Sequence, residues 1–271
     1  MVSTALTTPE EHQIEVAGVR IKSMRAGIGR PLLVLHHSTG STGWTPFYDR
    51  LAEAFDVIVP DLPGYGQSTL PEWAREPRDL AILVLQYLRK QGLRDVSLVG
   101  LGFGGFIAAE MATMNPDVIS SMVLVGAPGL RPEEGEIMDQ MLIEHADYVK
   151  AGFCDEATAA QHLGEEVDAN LVTLWQFNRV MTARVTWKPY MFNPRLRHLL
   201  PEVPTATLLI WGGADRVVPV AIGRQYERAL PDARLKVLGA AGHLVEVEEP
   251  QAVADLVKVH AAERAPSLRP A

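Results

Sequence analysis

The sequence predicts an α/β fold: a mostly parallel central sheet flanked by helices, with a helical cap inserted between two strands. Short apolar runs such as Pro31–His36 are typical of strands that are buried on both faces. These runs alternate with stretches of helical spacing, which favours parallel strands joined by helices. The alternation stops between residues 129 and 203, where helical patterns over Ile137–Lys150 and Glu156–Met181 have no strand between them. We therefore predict a core of residues 1–128 and 204–271 and a cap of residues 129–203.

The elements follow in order from apolar spacing and turn residues. Ala17-Gly18 separates the first two runs, which predicts a hairpin at the start of the sheet. The predicted strands are His12–Val16, Val19–Met24, Pro31–His36, Val57–Pro60, Val96–Val99, Ile119–Val125, Thr207–Trp211 and Arg234–Leu238. The predicted core helices are Trp44–Phe55, Arg78–Gln91, Phe103–Met114, Ile222–Ala229 and Ala252–Arg264.

Composition narrows the classes of partner. The 271 residues are 47% hydrophobic and 21% charged, as in an ordinary globular protein, and the net charge is −8. This charge argues against nucleic acid and anionic membranes as partners. The polar N-terminus resembles no signal peptide, and no later apolar run is long enough to span a bilayer. Since Cys154 is the one cysteine, we expect a reduced, cytoplasmic protein. Its oligomeric state is left open.

The turn between the strand Val96–Val99 and the helix Phe103–Met114 is the most informative segment. Gly100 and Gly104 flank residue 102 as the two glycines flank the serine in a G-x-S-x-G nucleophile elbow. This chain has glycine at the central position, Gly102. The sequence therefore predicts the backbone of an elbow without a hydroxyl at its centre.

Four further motifs follow predicted strands in a definite order. They are His36-His37-Ser38-Thr39-Gly40-Ser41, Asp61-Leu62-Pro63-Gly64-Tyr65-Gly66-Gln67-Ser68, Ile210-Trp211-Gly212-Gly213-Ala214-Asp215 and Ala241-Gly242-His243. With the elbow, they resemble the α/β-hydrolase fold superfamily over nearly the whole chain. Asn193-Pro194-Arg195-Leu196 is loosely similar to capped hydrolases of small carbon compounds. The chain departs from the family pattern at Gly102 and at His37, where the family usually has glycine.

The resemblance implies roles for individual residues. Asp215 would orient His243, whose other ring nitrogen would then act as a base. The backbone N–H groups of Ser38 and Phe103 would form an oxyanion hole. His37 is either a second acid, base or donor in the pocket or a surface histidine. His36 is expected to brace its loop.

Trp175 and Trp187 of the cap are expected in the pocket, where they would favour an apolar or aromatic ligand. A metal site built from His36, His37 and His243 is not expected, because adjacent residues of a strand point to opposite sides.

Three functions fit these observations. The first is an enzyme that uses hydrolase- or lyase-type general-base chemistry on a small apolar or aromatic molecule, without a cofactor or a covalent intermediate. The second is a non-catalytic pseudoenzyme that binds such a molecule. The third is a serine hydrolase whose nucleophile has been replaced by glycine. The presence of both Asp215 and His243 favours the first, because binding alone requires neither.

Overall fold

One eight-stranded sheet forms the centre of the protein. The computed structural model describes residues 7–164 and 166–263. The strands are β1 (Glu10–Val16), β2 (Val19–Ala26), β3 (Arg30–Leu35), β4 (Phe55–Pro60), β5 (Val96–Leu101), β6 (Ile119–Val125), β7 (Thr207–Gly212) and β8 (Ala233–Leu238). Each predicted strand is present, and no end differs from its predicted place by more than two residues.

The order of strands across the sheet is β1-β2-β4-β3-β5-β6-β7-β8. β1 pairs antiparallel with β2, and β2 pairs antiparallel with β4. All the other pairs are parallel. The predicted mostly parallel α/β architecture is thus confirmed, and the predicted hairpin forms its antiparallel edge.

Helices cover both faces of the sheet. They are α1 (Pro46–Ala52), α2 (Pro77–Lys90), α3 (Phe103–Met114), α4 (His145–Ala151), α5 (Glu156–Leu163), α6 (Ala169–Thr186), α7 (Leu196–Leu199), α8 (Val220–Ala229), α9 (Val245–Glu248) and α10 (Pro250–Glu263). Successive strand residues point to opposite faces. In β3, Leu33 therefore packs in the cluster with α2, α3 and α8, while Leu32 packs in the cluster with α1 and α10.

Three helix predictions need correction. The predicted helix Ile137–Lys150 is wrong over its first half, because only His145–Ala151 is helical. Backbone groups ahead of it bond to distant partners: the Met138 N–H donates to Val217 O and the Gln140 N–H to Tyr190 Oη. Their hydrogen bonds are made to the surrounding fold and not along a helix.

The other two corrections concern helix ends. The predicted helix Glu156–Met181 is two helices, α5 and α6, because Gly164 ends the first at φ +80° and Asp168 caps the second. The predicted helix Trp44–Phe55 is shortened to α1, because Thr45 caps its start and Phe55 already belongs to β4. The last predicted helix is confirmed up to Glu263, and Arg264 lies outside the described residues.

The long connection between β6 and β7 contains α4, α5, α6 and α7 and, among its described residues, no named strand. The division into a core and a cap at residues 129 and 203 stays a prediction. None of the helices in the described ranges is long and apolar enough to cross a bilayer.

The turn from β5 into α3 requires glycine for packing. A Cβ atom on Gly100 would overlap the backbone of Gly105 in the first turn of α3. A Cβ atom on Gly104 would overlap the carbonyl of Leu35 at the end of β3. The helix can therefore approach the ends of β3 and β5 only because these positions have no side chain.

We expect Gly100→Ala to lower the free energy of unfolding by about 1–3 kcal/mol, the usual cost of forcing extra atoms into a packed site. Gly239→Ala is the matched control, because a Cβ there would meet no atom within 4 Å, and its effect should stay within about 0.5 kcal/mol. Urea unfolding followed by circular dichroism measures both. Equal costs for the two variants would contradict the packing argument.

Candidate functional site

The predicted site residues meet at the carboxyl edge of the parallel strands. Ser38 follows β3, Gly102 follows β5, Asp215 follows β7 and His243 follows β8. In α/β sheets, ligands bind at this edge, because loops from neighbouring strands converge there. The topology therefore gathers residues that are far apart in the sequence.

His243 and Asp215 form a buried pair. Nδ1 of His243 lies 2.9 Å from Oδ2 of Asp215, and both side chains are almost inaccessible to solvent. The other carboxylate oxygen, Oδ1, accepts hydrogen bonds from the backbone N–H groups of Val217 and Val218, each at 2.8 Å. The carboxylate is thus fixed from both sides. Because Asp215 can only accept, the proton of neutral His243 lies on Nδ1, and Nε2 is left with a free lone pair.

Burial lowers the pKa of His243, but the charge of Asp215, its hydrogen bond and the charge of Glu246 together raise it above the usual value. A raised pKa means that the ring is a stronger base than free histidine. The same carboxylate that orients the ring therefore also increases its affinity for a proton.

Gly102 holds the turn in the left-handed region. Its φ is +48°, which suits glycine. Its N–H donates to Val125 O at 2.8 Å, and its carbonyl accepts from Gly105 N–H at 2.8 Å. A Cβ atom placed on Gly102 would lie 3.1 Å from Nε2 of His243 and would overlap Nδ1 of His37. The two rings therefore converge on the space that a side chain at residue 102 would take.

His37 is held by a carboxylate that the sequence analysis missed. Its Nε2 lies 3.0 Å from Oε1 of Glu246, and both side chains are buried. The ring packs edge-to-face on His243, with centroids 5.1 Å apart. The alternative of a surface histidine is therefore wrong. The only sequence signal for Glu246 is its place three residues after His243, in a run that also contains Glu248 and Glu249.

The loop after β3 is tied to the first turn of α3. The Gly104 N–H donates to His36 O at 3.0 Å, which brings the backbones of Ser38 and Phe103 to the same edge. Within the described residues, neither the Ser38 N–H nor the Phe103 N–H donates to a protein acceptor. Ser38 is next to His37 and Phe103 is next to Gly102, so these two N–H groups are the candidates for stabilising an anion in the site.

His36 has a structural role, as predicted. Its Nδ1 donates to His37 O at 2.7 Å, and its Nε2 accepts from the Leu62 N–H at 2.9 Å. Burial lowers the pKa of His36, so the ring stays neutral and keeps both bonds. It thereby joins the loop after β3 to the loop after β4.

One cavity adjoins both rings, and a second adjoins His37. The smaller, about 20 Å³, is lined by His37, Ser38, Tyr148 and His243 among others. The larger, about 230 Å³, is lined by His37, Glu246 and Trp175 together with both apolar and hydroxyl-bearing side chains. Tyr148 has no motif around it, and its place in the site could not be predicted from the sequence.

The structure separates the two tryptophans that were expected in the pocket. Trp175 is buried on α6 and lines the larger cavity. Trp187 follows α6 and is 68% exposed, so its expected place in the pocket is wrong. One residue beyond the buried Thr186, its side chain turns outward to solvent.

Within the described ranges, no group of three or more His, Cys, Asp and Glu side chains is arranged to hold a metal ion. His36, His37 and His243 are instead each engaged with protein partners.

Comparison with known proteins matches the model of the alpha/beta hydrolase family to residues 33–256. The chain is 28% identical over 250 residues to 2-hydroxy-6-oxononadienedioate/2-hydroxy-6-oxononatrienedioate hydrolase of Paraburkholderia phymatum, covering 85% of this chain and 86% of that protein. It is 27% identical over 259 residues to the dihydrolipoyllysine-residue acetyltransferase component of the acetoin cleaving system of Cupriavidus necator, covering 91% and 67%.

Among solved structures, a meta-cleavage product hydrolase from Pseudomonas fluorescens IP01 superposes with a TM-score of 0.79. The identity is 22%, and the match covers 93% of this chain and 97% of that chain. At this identity the likeness concerns the fold alone.

The overlap at Gly102 predicts an energetic coupling with His37. We expect Gly102→Ser to lower the free energy of unfolding, and we expect that cost to shrink in a His37→Gly background by about 0.5–3 kcal/mol, the usual coupling between contacting residues. Any cost of the left-handed backbone is the same in both backgrounds and cancels. Urea unfolding of the four proteins of the cycle gives the coupling.

His198→Gly, at an exposed histidine, is the control background and should leave the cost of Gly102→Ser unchanged. Additivity of Gly102→Ser and His37→Gly would show that the ring does not occupy the space of a side chain at residue 102.

Proposed function

The chain belongs to the alpha/beta hydrolase family, and from this we propose that it is a hydrolase that activates water directly with His243, without a side-chain nucleophile. Relatives such as the 2-hydroxy-6-oxononadienedioate hydrolase support a hydrolase role. One observation carries the finer proposal: Nε2 of His243 is aimed at the place of a side chain on residue 102, and that residue is glycine.

The structure around residue 102 supports its assignment as the nucleophile position of the family. It lies between β5 and α3 with a positive φ, and the base lies within 3.1 Å of its missing Cβ. A serine hydroxyl at this position would donate its proton to the base, Nε2 of His243. With glycine here, the group that His243 can deprotonate is a water molecule, for which the adjoining cavity of about 20 Å³ has room.

The His37 ring argues against a recently removed serine. In a serine hydrolase with only its nucleophile deleted, the space of the missing side chain would be left open. Here the ring fills it and is anchored to Glu246. The glycine at position 102 is therefore accommodated by a second residue.

The proposed reaction begins with a proton transfer. His243 takes a proton from water through Nε2 while Asp215 holds Nδ1–H, so the resulting imidazolium is stabilised by a buried carboxylate. The hydroxide adds to a carbonyl carbon, and the oxygen that becomes negative accepts the N–H groups of Ser38 and Phe103. General-base catalysis contributes about 10²–10⁴-fold and such donors about 10²–10³-fold, which suits an activated acyl compound.

The substrate that we propose is small and apolar or aromatic. The cavity of about 230 Å³ has room for a small molecule, and its lining includes Phe153, Leu171 and Trp175. Val149 of α4 and Trp175 of α6 both belong to the connection between β6 and β7. This supports the proposal that residues 129–203 form a helical cap over the site.

We expect His243→Ala to lower kcat/KM for hydrolysis of p-nitrophenyl butyrate by about 10²–10⁴-fold, the usual contribution of a general base. The unmodified protein should release p-nitrophenol without an initial burst, because no acyl-enzyme accumulates. His198→Ala, at an exposed histidine, should have unchanged activity. Stopped-flow and steady-state absorbance measure both properties.

Two results would overturn the proposal. One is activity that His243→Ala leaves unchanged. The other is an absence of turnover together with a melting temperature that rises with added butyrate or p-nitrophenol, which would identify a binding protein.

The pH profile provides a second test. His243 acts as a base only when neutral, and its pKa is raised, so kcat/KM for p-nitrophenyl butyrate should rise with pH around a midpoint above about 6.5. The groups that face the ring are Asp215, Glu246, His37 and the Tyr148 hydroxyl, which burial keeps neutral by raising its pKa. Asp215→Asn removes a negative charge, so burial then dominates and the midpoint moves to lower pH.

Glu249→Gln is the control for the loss of one carboxylate, since Glu249 is exposed, and it should leave the midpoint unchanged. A midpoint that Asp215→Asn does not move would show that another group sets the profile.

A further inference from the structure

His37 and Glu246 form a second histidine–carboxylate pair beside His243 and Asp215. Nε2 of His37 lies 3.0 Å from Oε1 of Glu246, as Nδ1 of His243 lies 2.9 Å from Oδ2 of Asp215. Both histidine rings are buried, and they pack edge-to-face at 64°. Each ring therefore has one nitrogen on a carboxylate and the other free to face the site.

The free nitrogens point to one place. Nδ1 of His37 and Nε2 of His243 are the nearest atoms to a Cβ atom built on Gly102. Because Glu246 accepts a proton from Nε2 of His37, a second proton on this ring must lie on Nδ1. A protonated His37 would thus present an N–H donor where the family has its nucleophile.

Charge favours a single additional proton on the two rings. Asp215 and Glu246 place a buried carboxylate beside each ring, so one positive charge on the pair would be balanced by a nearby negative charge. Two imidazolium ions with centroids 5.1 Å apart would repel each other. The pair of rings is therefore suited to hold one proton, so that one ring is an acid while the other is a base.

Two cavities that both touch His37 offer room for water and for substrate. The cavity of about 20 Å³ touches both rings, Ser38 and Tyr148. Its volume has room for one water molecule, and these side chains offer it polar contacts. The cavity of about 230 Å³ shares His37, Thr39, Val149 and Leu244 with it. An acyl group in the larger cavity would meet the water at the paired rings.

We propose that His37 is the general acid of this site, with Glu246 as its positioning residue, and that the enzyme hydrolyses acyl compounds whose leaving group must be protonated, such as alkyl esters. This inference rests on the proposed function, in which His243 activates the water. It assigns to two histidines the base and acid roles that one histidine performs in a serine triad.

The reaction balances as a hydrolysis. Nε2 of His243 takes one proton from water while the water oxygen bonds to the carbonyl carbon, and the π electrons of the carbonyl move to its oxygen. The oxyanion then re-forms the carbonyl and the bond to the leaving oxygen breaks. The leaving oxygen keeps that electron pair and receives the proton from Nδ1 of His37. Transfer of a proton from His243 to His37, directly or through water, restores the pair, and ester plus water gives acid plus alcohol.

Two esters with the same acyl group test the assignment. Ethoxide leaves only with a proton, whereas p-nitrophenolate leaves without one. We expect His37→Ala to lower kcat/KM for ethyl butyrate by about 10²–10⁴-fold more than it lowers kcat/KM for p-nitrophenyl butyrate. His243→Ala should lower both. Glu246→Gln keeps an oxygen acceptor for His37 but removes the carboxylate charge, so it should lower ethyl butyrate hydrolysis more than p-nitrophenyl butyrate hydrolysis. Glu249→Gln is its control.

The outcomes separate the two proposals. If His37→Ala lowers kcat/KM equally for both esters, or for neither, the general-acid assignment is wrong while the role of His243 stands. If His243→Ala changes neither ester, or the unmodified protein hydrolyses neither, the proposed function fails and this inference fails with it.

Rescue of His37→Gly by added imidazole distinguishes loss of the acid from damage to the fold. The small variant leaves room for a free imidazole, which should restore ethyl butyrate hydrolysis in proportion to its protonated form. Urea unfolding of the same variant measures its stability. If His37→Gly is stably folded and imidazole does not restore its hydrolysis of ethyl butyrate, the assignment is wrong.

Discussion

The contact between the end of β5 and the first turn of α3 determines the geometry of the site. Gly100 meets Gly105 backbone to backbone, and Gly104 meets the carbonyl of Leu35. The turn between them is held by bonds from Gly102 to Val125 and from Gly105 to Gly102. None of these interactions uses a side chain at residue 102. The backbone donors and the direction of His243 are therefore maintained without a hydroxyl, since the structure that positions them is independent of it.

The fold could be predicted from the sequence because local patterns report it. Each buried strand is a short apolar run, and Ile119–Val125 has the predicted ends. The region from 137 to 144 could not be predicted in this way. Its backbone bonds to Val217 and Tyr190, which are distant in sequence, and apolar spacing alone gives no sign of such partners.

Some residues of the site could likewise be predicted from the sequence, and others could not. Asp215 and His243 lie in motifs, and the structure brings them within hydrogen-bond distance. Glu246 has no motif, because its role depends on His37, more than 200 residues away in the chain. The burial of Trp175 and the exposure of Trp187 depend on how the end of α6 is oriented, and the spacing of aromatic residues does not contain that information.

His37, Glu246 and Gly102 depend on one another through steric fit and hydrogen bonding. A side chain at residue 102 would overlap the His37 ring, so the ring requires glycine there. Glu246 is buried, and Oε2 has no protein partner among the described residues. A buried carboxylate is costly unless it is hydrogen-bonded, and the His37 ring supplies the hydrogen bond that Oε1 of Glu246 accepts. Replacing the usual glycine by His37 therefore needs both a carboxylate beside the ring and an empty position 102. The family pattern identifies His37 and Gly102 as departures but does not explain why both occur in one chain. The position of the His37 ring, fixed by Glu246, explains it, because the ring takes the space of a side chain at residue 102.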